Sequence, residues 1–288
     1  MGVMSVFQAL ILGVIQGLTA LLPVSSSGHL VLAGSLMGTE GSLSLRFLAG
    51  LHMGTLLAAL IVWRRDVSRI FKAAADLLWD LLANLRIWAM QRGSRESLQY
   101  RRLVYGRYRG RVVFLAAATA CTFAAGLLLR YPAEVCTGSL LYTGMGFFVT
   151  ALMLLTAAYA SPAKKKGLFS VRDAVITGIA QGFAVFPGIS RMGMVMAASD
   201  ILGLPNGFGV YIGYLLCVPA VFGGLVVEIM AGTGPDVSAA AWIAGAAASA
   251  AVSAWMMKRT ARFLARCGRR GFALYCLLAG IVSLIVYL

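Results

Sequence analysis

Charge is scarce in this chain. Only 12% of its 288 residues are charged, 60% are hydrophobic and the mean hydropathy is +0.85, values that exclude a soluble domain. Two histidines in all leave little from which to build a histidine-based metal centre. The five cysteines, Cys121, Cys136, Cys217, Cys267 and Cys276, include no C-x-x-C pair, which argues against a metal knuckle or a disulfide framework; they read as small apolar fillers. The N-terminus lacks the basic start and small-residue cleavage site of a signal peptide, and its apolar run carries Gln16, Thr19 and Pro23, so it is read as mature structure. Apolar runs long enough for a hydrocarbon core of roughly 30 Å recur along the sequence. The expected class is an all-α integral membrane protein with one polytopic domain, 1–288.

The net charge of +15 would suit a nucleic-acid binder, but its distribution does not. Of the 25 Lys and Arg, twelve fall between Arg64 and Arg111, four between Lys164 and Arg172 and six between Lys258 and Arg270. By the positive-inside rule these three segments are cytoplasmic, and they are suited to anionic headgroups rather than to nucleic acid. Between them lie expected spans at 113–130 and 138–160, then 208–230 and 239–257, while 47–63 enters the first basic segment and 272–288 leaves the last. That makes about six transmembrane helices. The piece 71–90 carries Asp76, Asp80 and Arg86 among leucines and tryptophans and reads as an interfacial amphipathic helix.

An internal repeat organises the rest. Shifting the sequence by 165 residues lays 6–38 on 171–203 without a gap and matches ten residues, among them Gln16 with Gln181, Gly17 with Gly182, Ser25 with Ser190 and Gly28 with Gly193. Each copy is an apolar run of about sixteen residues, a proline-containing polar turn (LPVSSSGH, FPGISR) and a second short helical run. Neither arm reaches the ~20 residues of a comfortable span. Charge topology makes both copies re-entrant hairpins that approach from opposite faces, an inverted repeat of about 1–160 and 161–288 whose turns meet near the midplane. The alternative is two broken helices packed by glycine and serine.

The meeting point suits an anion. The second arms begin near Ser26 and Ser190, so unpaired first-turn N–H groups point into the turns with the positive end of the helix dipole. Arg191 is an isolated cation in the membrane body whose planar fork fits a phosphate, and no carboxylate lies close to it in sequence: Asp200 is about 13 Å along the same helix at 1.5 Å per residue. His29 lies one turn past Ser26 and is either structural or a catalytic or phosphate contact. Ser25, Ser27, Gly188 and Ser190 flank these residues as candidate phosphate-binding positions.

At these residues the chain resembles a known family. The stretches LILGVIQGLTALLPVSSSGHLVL, FLAGLHMGTLLAALIVWRRD and GIAQGFAVFPGISRMGMVMAA, in this order, are similar to the bacterial undecaprenyl pyrophosphate phosphatases linked to bacitracin resistance. The resemblance implies a multi-pass inner (plasma) membrane enzyme that removes the terminal phosphate of a C55 polyprenyl diphosphate, recycling the cell-wall carrier, usually with Mg2+ or Ca2+; a homodimer is left open. It assigns Ser26, His29 and Arg191 as catalytic residues. Four positions depart from the family pattern: Gln16 and Ala20 where it has glutamate (or glutamine) and glutamate, and Met192 and Val195 where it has serine and threonine. Divalent ions want hard oxygen ligands, so the anion-binding half of the site is kept while the metal-and-base half is missing. Three readings follow: a diphosphatase, a catalytically impaired relative that binds or translocates polyprenyl phosphate lipids, and a structural membrane partner without a ligand.

Overall fold

The computed structural model describes residues 4–39, 43–91, 99–160, 169–205, 207–231 and 237–288. The basic residues Arg92, Arg95, Lys164, Lys165 and Lys166 lie outside the described residues. In chain order the helices are α1 (Val6–Thr19), α2 (Ser26–Leu36), α3 (Leu45–Val62), α4 (Arg64–Gln91), α5 (Gly106–Leu128), α6 (Arg130–Cys136), α7 (Leu140–Tyr159), α8 (Val171–Gly182), α9 (Arg191–Ile201), α10 (Phe208–Ala231), α11 (Ala239–Met257) and α12 (Thr260–Tyr287). Six of them, α3, α5, α7, α10, α11 and α12, are long and apolar enough to cross a membrane, so the chain is a multi-pass membrane protein. The first arms are shorter than the sixteen residues read from the sequence: α1 has 14 and α8 has 12, the latter continued by a 3-10 turn over Phe183–Val185.

The helix ends differ from the expected spans where basic residues find partners. The fifth helix starts at Gly106 rather than 113, because Arg109 donates to Asp80 on α4 at 2.7 Å and Arg111 to the Tyr211 hydroxyl on α10 at 3.0 Å, so its arginine-rich first turns are satisfied. At the far end α12 begins at Thr260, well before 272, and breaks at Gly268, whose φ of +63° is a conformation open to glycine. The amphipathic helix extends over Arg64–Gln91, longer than 71–90; only Ala73 of it is buried, while Phe71, Trp79, Leu82 and Trp88 are exposed as an interfacial apolar face.

Packing follows a crossed pairing. A methyl group at Gly13 would strike the Gly245 carbonyl and one at Gly17 the Val252 side chain, so α1 runs alongside α11 in the same sense. In the other half Gly178 meets Ala118 and Gly182 meets Ala125, so α8 runs alongside α5 in the same sense. Small residues allow these backbones to touch, which in lipid replaces the hydrophobic drive that water would supply. Because α5 leaves a basic segment and α11 enters one at Lys258, the positive-inside rule sets the two first arms running in opposite senses. Each first arm leans on a span of the other half, and α7 packs against α12.

Candidate active site

The two turns touch. A Cβ on Gly28 would lie 2.9 Å from the Gly188 Cα and 2.7 Å from the Phe147 ring, so the N-terminal end of α2 can approach the second turn only as glycine. Gly188 has φ +85° and faces the Thr143 carbonyl, where no side chain fits. The second turn is further held by Thr150 on α7, whose hydroxyl donates to the carbonyls of Gly188 (2.9 Å) and Gly146 (3.1 Å) and accepts the Ser190 N–H (3.0 Å).

Both second arms are capped alike. Ser25 accepts the Gly28 N–H at 3.3 Å and Ser190 the Gly193 N–H at 3.1 Å, each satisfying one orphan donor of the helix start. The N–H groups of Ser26 and Ser27, and of Arg191 and Met192, find no acceptor among the described residues. The backbone differs, however. Ser190 is relaxed at φ −85°, whereas Ser25 sits at φ +63°, the only non-glycine with positive φ among the described residues. Such a residue costs about 1–3 kcal/mol and persists where its surroundings over-determine it. Here they do: the Ser25 hydroxyl lies 3.2 Å from that of Ser27, and the Ser25 carbonyl receives the His29 Nδ1–H at 2.6 Å.

That bond settles the tautomer of a neutral His29. A carbonyl can only accept, so Nδ1 carries the proton and Nε2 accepts from the Tyr275 hydroxyl on α12 at 2.7 Å. The ring is stacked on Tyr275 (centroids 5.6 Å apart) and edge-on to Phe147 (5.1 Å). In this state His29 braces the first turn. Ser26, 8% exposed, opens α2 with a hydroxyl that makes no hydrogen bond to a described residue, and Ser27 is exposed.

On the other side Arg191 opens α9 and lines a small cavity with Ala20, Gln181, Met192, Val195 and Cys217; it has room for about one water molecule. Arg191 makes no ion pair or hydrogen bond with a described residue. Asp200 is committed elsewhere, accepting from Arg269 on α12 at 2.9 and 3.3 Å. The four departing positions separate. Ala20, Met192 and Val195 all line the Arg191 cavity, while Gln16 lies outside it, its Nε2 reaching Thr55 at 3.4 Å within a buried cluster that includes Ser249 and Ser253. No group of three or more His, Cys, Asp or Glu able to hold a metal occurs among the described residues. With Ala20 and Gln16 in place of carboxylates, the donors present do not fit a divalent cation.

Sequence reasoning passed over Tyr275, Thr150, Tyr214 and Gln181. The first three carry no signal, being polar groups inside ordinary apolar spans; Gln181 did carry one, as the repeat partner of Gln16.

The chain is similar to known proteins over almost its whole length. The family model described as bacitracin resistance protein BacA matches residues 9–282. The chain is similar to an undecaprenyl-diphosphatase of Korarchaeum cryptofilum, 32% identical over 285 aligned positions that cover 98% of this chain and 99% of that protein. It is 32% identical to one of Christiangramia forsetii over 292 aligned positions, and 31% to one of Methanosphaera stadtmanae over 288, each covering 98% of both proteins.

Proposed function

The chain belongs to the BacA family of bacitracin resistance proteins, and on that premise we propose that it acts in the plasma (inner) membrane as an undecaprenyl-diphosphatase on a C55 polyprenyl diphosphate. The observation that carries this reading is the meeting of two helix starts, where neither the Ser26 hydroxyl at one nor the Arg191 guanidinium at the other bonds to a described residue. The free N–H groups of both starts and the Arg191 guanidinium supply donors to the three oxygens of a terminal phosphate, where charge spreads as the phosphoryl group transfers. The Ser26 hydroxyl attacks the terminal phosphorus. Its O–P bond forms, the bridging P–O bond breaks, and prenyl phosphate leaves. The serine proton passes to His29 Nε2 once that nitrogen exchanges Tyr275 for Ser26, and water then releases phosphate from the serine. No step is routed through a cation, since the donors do not fit one.

An apolar groove of about 700 Å³ gives the isoprenoid a place. It lies between α3, α4, α5 and α10, and Leu215, Val218 and Phe222 line it from the same helix whose Tyr214 and Cys217 face the Arg191 cavity. Release of inorganic phosphate from a C15 or C55 diphosphate by the purified protein tests the reading. Release by the parent that is absent from Ser26→Ala is expected; no release by the parent would sink it. The missing carboxylates favour one second reading, a relative that binds or translocates polyprenyl phosphates without cleaving them. It predicts saturable lipid binding without phosphate release.

A further inference from the structure

We propose that Gln181 contacts the ligand of this site, its amide and the Arg191 guanidinium together seating one oxygen of the terminal phosphate. The inference rests on the phosphate site proposed above. Gln181 is 3% exposed, yet its Oε1 has no hydrogen-bond partner and its Nε2 makes no bond to a described residue. A buried amide left unsatisfied is costly, of the order of 1–3 kcal/mol, so such a group calls for a partner that the protein itself does not provide. Its surroundings say what that partner is. The amide lines the same cavity as Arg191, and the cavity has room for about one water, which is also about the size of one phosphoryl oxygen. Between a guanidinium and an amide N–H, that position has donors on two sides and selects an anionic oxygen. The N and O ends of a side-chain amide are interchangeable by a half-turn, so the end left unbonded can donate to that oxygen. Its counterpart, Gln16, also has a buried Oε1 without a partner, but its Nε2 reaches Thr55 and it does not line this cavity, so it is the place beside Arg191 that gives the amide of one half a ligand-facing role.

The test uses the full chain in detergent and a C15 methylene diphosphonate, whose P–C–P bridge is not hydrolysed, with affinity read by calorimetry and turnover read separately on the C15 diphosphate. Gln181→Met keeps the length and burial of the side chain and is expected to weaken diphosphonate binding about tenfold, with kcat/KM falling at least as far, as for one hydrogen bond to a charged group. Thr177→Val is the control. It removes another buried unpartnered polar atom one turn back on α8, outside the cavity, and is expected to bind within about twofold of the parent. Gln181→Met binding and turning over like the parent would overturn the inference even if the parent is a phosphatase. If the parent binds the diphosphonate but releases no phosphate, while Gln181→Met binds about tenfold weaker, the contact stands and hydrolysis falls. A parent that neither binds nor hydrolyses overturns both. If Gln181→Met loses its thermal transition, Gln181→Asn, which withdraws the amide by one methylene, is read in its place.

Discussion

The two hairpins start from the same local plan and end in opposite states. In the first, the Ser25 and Ser27 hydroxyls face one another, the Ser25 carbonyl and the Tyr275 hydroxyl occupy the two ring nitrogens of His29, and a strained Ser25 is locked in place. In the second, the cap is relaxed, the glycine at 188 takes the positive φ, and Arg191 and Gln181 line a cavity without hydrogen-bond partners among the described residues. The difference teaches that an internal repeat supplies the same frame twice while the side chains set on it diverge. One turn is braced around His29 and presents Ser26, and the other sets Arg191 and Gln181 on a common cavity.

The largest expected effect breaks the second turn. Arg191→Met should lower diphosphate-lipid affinity at least a hundredfold, and Arg191→Lys, which keeps charge but loses the fork, about tenfold, read by calorimetry; unchanged affinity in the methionine variant would make the arginine structural. Next in size is a gain. Ala20 faces the Arg191 cavity and lies one turn past Gln16, so Ala20→Glu together with Gln16→Glu should raise cation-dependent phosphate release about tenfold and lose the gain on chelation. A folded, lipid-binding double variant with no gain would favour the non-hydrolytic reading.

The comparison sharpens with a matched pair of glycines. Ser190→Gly and Ser25→Gly each delete a cap, but only at 25 does glycine relieve a left-handed backbone, so Ser190→Gly should be the more destabilising by about 1 kcal/mol in detergent unfolding. Equal losses would mean that Ser25 carries no strain. The smallest effect lies outside the membrane. Arg109, and then Arg101, hold the Asp80 carboxyl below its ordinary range, so the α4–α5 tether is fully present above about pH 4 and is lost as pH falls through that depressed value. At neutral pH, Asp80→Asn should speed tryptic cleavage after Arg101 and Arg102 a fewfold; an unchanged rate would show that the tether does not hold this segment.

Most of the frame was legible before the structure. Glycine-rich first arms, serine caps and clustered arginines are local signals, so both turns, the second-arm starts near Ser26 and Ser190 (observed at Ser26 and Arg191), and six spanning helices could be placed. Other features depend on distant partners. The early start of α5 needs Asp80 and Tyr211, and the bracing of His29 needs a tyrosine 246 positions away. Helix α6 was not anticipated either. Pro132 falls in a short link between two spans that reads as a loop; it stands in the first turn of Arg130–Cys136, where no N–H is needed, and the Arg130–Glu134 pair at 2.7 Å spans that turn.

The central claim is that this chain keeps the anion-binding half of a diphosphatase site without the carboxylates that would hold a cation. The most direct test is the initial rate of phosphate release from a C15 diphosphate by purified protein, titrated with Mg2+ or Ca2+ and then with chelator. The account predicts a slow, measurable rate that Ser26→Ala and Arg191→Met abolish and that changes less than about twofold across the titration. A fast rate that rises steeply with the cation and vanishes on chelation would contradict it.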